Sequence, residues 1–152
     1  MKRVRSGLGA LAVLLVALSS LAPAAGAAGT PAVSGASVTA RTSSFGRILF
    51  DGRGRALYAF TRDSGGHSSC AGGCARAWPP YLVSARPRVG AGVRGKLINT
   101  TRRGDGALQV TYAGRPLYYY VGDRTPGEVL CQNVREFGGL WLVVRPSGQL
   151  VR

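Results

Sequence analysis

The residues best equipped for chemistry in this chain are three cysteines, one histidine and two aspartates that close repeated aromatic segments. Cys70 and Cys74 flank Ala71-Gly72-Gly73, and Cys131 is the third cysteine. With His67 they are the right donor types for zinc, and a close pair with a spare thiol has the parts for disulfide exchange. The Cys-x3-Cys spacing differs from the Cys-x2-Cys of dithiol redox motifs, and no βαβ pattern surrounds it. His67 lies in Gly65-Gly66-His67-Ser68-Ser69, a run that reads as a flexible loop. Asp63 and Asp123 raise the idea of a glycosidase carboxylate pair, but nothing in the sequence brings them together. There is no Gly-x-Ser-x-Gly, no His-Glu-x-x-His and no phosphate-binding loop before a helix. With one histidine and six acids, hydrolase chemistry has few parts. The expectation is no catalytic residue, no cofactor and no enzyme.

The two aspartates belong to a repeat. Gly54-Arg55-Ala56-Leu57-Tyr58-Ala59-Phe60-Thr61-Arg62-Asp63 recurs as Gly114-Arg115-Pro116-Leu117-Tyr118-Tyr119-Tyr120-Val121-Gly122-Asp123, offset by 60 residues. A tryptophan follows each copy, Trp78 and Trp141. Two copies at this period do not make a solenoid; they indicate a duplicated β unit around one core. Side chains alternate along a strand. Tyr58 and Phe60 therefore share one face, opposite Leu57, Ala59 and Thr61. Tyr118 and Tyr120 share a face, opposite Leu117, Tyr119 and Val121. Both faces are largely apolar, so each strand is expected to be covered on both sides. Asp63 and Asp123 fall just past the strand ends, where a carboxylate accepts turn N–H groups or a phenol from a neighbouring strand. The functional alternative is a glycan-binding face of aromatic platforms and two aspartates.

Short β-type runs and Gly-containing turns fill the rest. Arg47-Ile48-Leu49-Phe50 is expected to form a hairpin with residues 55–61 across Asp51-Gly52-Arg53-Gly54. Residues 97–101 should pair with Leu108-Gln109-Val110-Thr111-Tyr112, followed by a strand over residues 116–121. Residues 140–144 and 149–151 close the domain around Pro146-Ser147-Gly148. Only Cys74-Ala75-Arg76-Ala77-Trp78 suggests a helical turn, ended by Pro79-Pro80. The fold class is therefore all-β. Two related hairpin or meander units, over about residues 43–85 and 97–152, form one small sandwich or barrel-like domain. Its two long loops, residues 64–77 and 124–139, must be pinned or functional.

Residues 1–28 have the pattern of a cleaved export signal, with Lys2, Arg3 and Arg5, an apolar run from Leu8 to Leu21, and Ala25-Gly26-Ala27. The apolar run is short for a membrane span, which needs ~20 residues. Residues 29–42 are rich in Ala, Gly, Ser, Thr and Pro and read as a flexible leader. Formal net charge is +14, with arginine far outnumbering lysine. A basic balance is the footprint of a polyanion partner. Export argues against nucleic acid, leaving an anionic cell-wall polymer or a membrane surface. The plainer explanation is that the charge keeps the protein soluble. Arg86, Arg88, Arg94, Lys96, Arg102 and Arg103, between the repeats, form the best candidate basic patch.

Tyr58-x-Phe60-x-x-Asp63, then Cys70-x-x-x-Cys74 and Trp78-Pro79-Pro80, resembles the secreted or lipoprotein repeat family marked by a Tyr-x4-Asp motif. Tyr118-x-Tyr120-x-x-Asp123 and Gly138-Gly139-Leu140-Trp141 are similar to that family's second unit. The resemblance covers about residues 43–152. It implies an extracytoplasmic location and a repeat architecture, and it implies no activity. The chain departs from the pattern in lacking the lipid-attachment cysteine that many members carry, and in having Cys131.

Exported proteins with several cysteines form disulfides, and three cannot all pair within one chain. Cys70–Cys74 would pin the first long loop just before Trp78. A bond from either one to Cys131 would clamp the two long loops together and close a larger ring. Either leaves one thiol, which permits a disulfide-linked dimer. The expected role is structural or binding work at the cell envelope. The rival is a thiol-redox or metal-handling protein using His67, Cys70, Cys74 and Cys131.

Overall fold

The computed structural model describes residues 35–152. The signal expected over residues 1–28 lies outside the described residues. The chain runs β1 (Ser37–Ser43), β2 (Gly46–Asp51), β3 (Tyr58–Phe60), α1 (Gly73–Ala77), β4 (Arg88–Val89), β5 (Ile98–Arg102), β6 (Leu108–Tyr112), β7 (Arg115–Pro116), β8 (Val134–Glu136) and β9 (Gly139–Val143). The strands form three three-stranded sheets in the orders β2-β1-β4, β3-β9-β8 and β5-β6-β7. The domain is all-β, and its sheets do not close into a barrel.

The strand β1 corrects the expected leader of residues 29–42 over its described part, from Ser37 onward. Val38 and Ala40 are buried and alternate with the polar Thr39 and Arg41. This period-two pattern is obscured by small residues. β1 returns as β2 across a two-residue turn, with Ser43 opposite Gly46. The hairpin expected between β2 and residues 55–61 is also corrected. It lasts only for the bridge between Phe50 and Ala56, where Asp51 Oδ1 accepts the N–H groups of Arg53 and Arg55. β3 then leaves to pair with β9. Within the second long loop, β8 pairs antiparallel with β9. Phe137 (φ 51°) and Gly138 (φ 80°) occupy their turn, both in the left-handed region that a tight hairpin uses.

The halves are intertwined about an approximate two-fold axis. Tyr58 and Tyr118 exchange both backbone hydrogen bonds at 2.9 Å. The tyrosine strand of each repeat pairs with the tryptophan segment of the other. Phe60 lies opposite Trp141, while Tyr118 bridges Pro80 and Tyr81 N–H donates to Leu117. The alternation in the repeat is realised as two cores. One holds Tyr58, Phe60, Tyr118, Trp78 and Trp141; the other holds Leu57, Ala59, Leu117, Ile98, Val110 and Tyr112.

Across the axis, Tyr120, Trp78, Trp141 and Phe60 form one column of rings. Successive centroids are 4.8, 4.1 and 4.2 Å apart. Tyr58 meets Trp78 edge-on, and Tyr118 meets Trp141 in the same way. Each tryptophan therefore sits between its symmetry mate and an aromatic ring from the opposite repeat. Such pairs add ~0.5–1.5 kcal/mol each beyond burial. Trp78→Ala or Trp141→Ala is expected to lower stability in urea by roughly 3–5 kcal/mol. Leu130→Ala, at an exposed position, should stay within about 0.5 kcal/mol of the parent.

Candidate functional site

The repeat motif places its polar groups in a reciprocal arrangement. Tyr58 Oη donates to Asp123 Oδ2 at 2.7 Å, and Tyr118 Oη donates to Asp63 Oδ2 at 2.7 Å. The phenol thus comes from the opposite repeat, brought alongside by the Tyr58–Tyr118 pairing. The second carboxylate oxygens close the following loops. Asp63 Oδ1 accepts the N–H of Ser69, and Asp123 Oδ1 accepts the N–H of Leu130. A third pair, Tyr119 Oη donating to Asp51 Oδ2 at 3.0 Å, lies outside the recognised motif. Arg55 stacks over that ring at 4.5 Å.

Burial sets the electrostatics. Burial raises the Asp123 carboxyl above its usual range, against the bonds it accepts from Tyr58 and Leu130. Burial, reinforced by the neighbouring carboxylates, moves Tyr58, Tyr118 and Tyr119 well above the ordinary phenol range. Tyr81 is pushed up to about 12 by burial and the charge of Asp51.

All six carboxylates hold the structure together. Besides the three above, Glu136 accepts the Trp78 indole N–H at 2.8 Å. Glu128 accepts the N–H groups of Arg124 and Thr125, and Asp105 accepts that of Ala107. Asp63 and Asp123, the pair considered for glycosidase chemistry, each bind a tyrosine of the opposite repeat and a loop N–H. Nor do the motif aromatics form an open glycan platform. Tyr58, Phe60 and Tyr118 are buried, and half-buried Tyr120 ends the ring column.

Cys70 and Cys74 form a disulfide, and Cys131 is free and half-buried. The alternative bond to Cys131 is absent. The reason lies in the symmetry: Cys70 follows Ser69, Cys131 follows Leu130, and those two residues make the same contact with their aspartates. Cys131 therefore occupies the place of Cys70 in the second repeat, where Arg135 stands four residues on. Burial raises its thiol, which lies beside the Tyr120 hydroxyl. His67 is exposed in its loop. Among the described residues no three His, Cys, Asp or Glu side chains are grouped to hold a metal ion, so the alternative zinc set of His67 with the three cysteines does not assemble, two of them being taken by the disulfide.

Of the expected basic patch, Arg88, Arg94, Lys96 and Arg102 are exposed. Arg86 donates to the carbonyls of Gly95 and Ile98. Arg103 turns inward, donating to Ser68 Oγ, Gln109 Oε1 and the Cys70 carbonyl, so it ties the first long loop to β6. Sequence reasoning missed this, along with the Asp51–Tyr119 pair. The only available signal was an arginine just past β5 and a glutamine on β6.

Two outcomes follow from the motif geometry. Tyr58→Phe removes the donor to a carboxylate that is 2 % exposed; a stability loss of roughly 1–3 kcal/mol is expected in urea. Tyr118→Phe should cost less, because Asp63 is more exposed and keeps both Ser69 bonds. For the pH dependence, Tyr58, Tyr118 and Tyr119 are raised by burial above their unfolded value of about 10. Their contribution is full below that value and is lost as pH rises above it. In an alkaline titration the ionisation of these three tyrosines, assigned by Tyr→Phe variants, should appear together with loss of near-ultraviolet circular dichroism; their ionisation in a still-folded protein would contradict this.

The Lipoprotein_15 model, described as a secreted repeat of unknown function, matches residues 39–81 and 99–145. The two matched segments take in most of the two hairpins, β1–β2 and β5–β6, and both tyrosine segments; the second of these, expected as a strand over residues 116–121, is β7 followed by isolated bridges at Tyr118. No curated protein and no solved structure matches the chain. With both repeats matched over more than half its length, the chain belongs to this family of secreted repeats.

Proposed function

We propose that this protein is a non-enzymatic module of the cell envelope that binds an anionic polymer. The observation that carries the reading is the unequal use of charge. Every carboxylate is engaged in holding the fold. The described residues contain one ion pair, Arg103–Asp105 at 3.5 Å. No acid occurs between Asp63 and Asp105; in that stretch the side chains of Arg86, Arg102 and Arg103 donate within the protein, while those of Arg76, Arg88, Arg94 and Lys96 have no hydrogen-bond or ion-pair partner among the described residues. Arg47 brings its guanidinium against Gly92 in the same region. Cations without internal partners are available to an external polyanion. The family description supports export, which makes a wall polymer a more accessible partner than nucleic acid.

The thiol-redox rival draws no comparable support. Cys70 and Cys74 are 1 % and 7 % exposed, and disulfide exchange needs access to the sulfur. The test is sedimentation of the protein, lacking residues 1–28, with an anionic wall polymer and with an uncharged glucan. Binding to the anionic polymer alone is expected, weakening as salt rises from about 50 to 500 mM, as screening requires. Equal retention by the uncharged glucan, or salt-independent binding, would contradict the reading.

A further inference from the structure

The two halves differ most at one concave place. A cleft of about 450 Å³ lies between β5, β6 and the 65–66 turn of the first repeat. It is lined by Asn99, Thr101 and Thr111, by Gly66 and Gly114, and by Lys96. Asn99 lies opposite Thr111 across the β5–β6 pair, so the two share a face. Thr101 lies opposite Gln109 on that face.

The first repeat shows what this place looks like when filled. Its matching pairs are Thr39 opposite Phe50 and Arg41 opposite Ile48. Ile48 and Phe50 belong to the aromatic core, with Phe45 and Val129 packed against it. Gly54, the counterpart of Gly114, is covered: a Cβ built there would meet Arg41 Nη1 at 2.8 Å and Pro126 Cβ at 3.1 Å. At Gly114 a Cβ would meet nothing within 4 Å. Shorter or more polar residues therefore replace the filling groups of the first repeat. Thr111 stands for Phe50, Thr101 for Arg41, and Gly66 for Pro126. The Ser68–Arg103–Gln109 network braces one side.

We infer that this cleft is a ligand subsite for a polyhydroxylated anion, such as a polyol phosphate or uronate unit of an envelope polymer. The inference rests on the reading above and narrows it from a surface to a site. The volume is within the ~300–1,000 Å³ of small-molecule sites. Hydroxyl and amide side chains suit sugar or polyol hydroxyls, and Leu97 is the one large apolar side chain among the lining residues. Lys96 supplies the only formal charge among the lining residues, and no carboxylate opposes an anion there.

The decisive variant is Thr101→Arg, which copies the plug of the first repeat and also adds a positive charge. The probes are a glycerol-phosphate trimer and a diuronate, measured by calorimetry on the protein lacking residues 1–28, with the long polymer in parallel. Binding of either probe is expected, and the preferred one identifies the anion. Lys96→Gln should weaken it by about tenfold, as loss of one charge-assisted contact implies, and Thr101→Arg by at least as much because it fills the cleft, with thermal unfolding unchanged. Tighter or unchanged binding to Thr101→Arg would overturn the subsite and assign binding to diffuse charge. So would binding of the long polymer with no binding of either probe. If neither polymer nor probe binds, the subsite and the polymer reading fall together.

Discussion

The fold depends on a reciprocal exchange. Each repeat supplies a tyrosine that its own carboxylate does not bind, and each finds its partner across the two-fold axis. The exchange is possible because Tyr58 and Tyr118 pair backbone to backbone, placing each phenol beside the loop that leaves the opposite strand. A single repeat leaves this contact incomplete in three ways. Its tyrosine strand lacks a paired tryptophan strand, its tryptophan lacks two of its three ring contacts, and its aspartate lacks its phenol donor. Buried polar groups without partners are costly, so a lone half carries penalties that only the other half removes. The intact pair shares one interior in which polar and aromatic contacts point to the same arrangement.

This constraint explains why the motif is so readable and so uninformative about chemistry. Groups that look catalytic in a list of residues, namely carboxylates beside phenols and aromatics, are occupied by one another. Each motif carboxylate is held in place by a loop N–H on one oxygen and a phenol on the other. Whatever the protein recognises must therefore be met by parts of the chain that the exchange does not use. Those parts are strongly basic, and they are where the two copies have diverged. The first repeat closes its hairpin face with Phe50 and Arg41, while the second leaves Thr111 and Thr101 facing a cleft. The disulfide shows the same asymmetry, since Cys70 has a partner and Cys131, in the matching position, has none.

Much of the architecture was legible because it follows from local periodicity. Alternation in residues 57–60 and 117–119 separates the two cores as the side chains demand, and the β5–β6 hairpin lies where its turn residues place it. Local periodicity fails where the determining contact is remote. β1 was hidden because Val38 and Ala40 make only a weak apolar stripe, which becomes meaningful when β2 lies beside it. β3 follows the turn at Asp51 but pairs with a strand about 80 residues away; nothing in residues 47–61 specifies that choice over a plain hairpin. The likelihood of a phenol near each aspartate could be read from the sequence, whereas its origin in the opposite repeat could not. The cleft left no signal, because threonines at two strand positions are unremarkable until the symmetric positions are seen to hold arginine and phenylalanine.

Native-state hydrogen exchange at the paired amides of Tyr58 and Tyr118 tests the interlock most directly. If the halves hold each other, both amides exchange only through global unfolding, with equal free energies matching that from urea. Faster exchange of one amide, through opening of a single repeat while the other stays protected, would contradict the account.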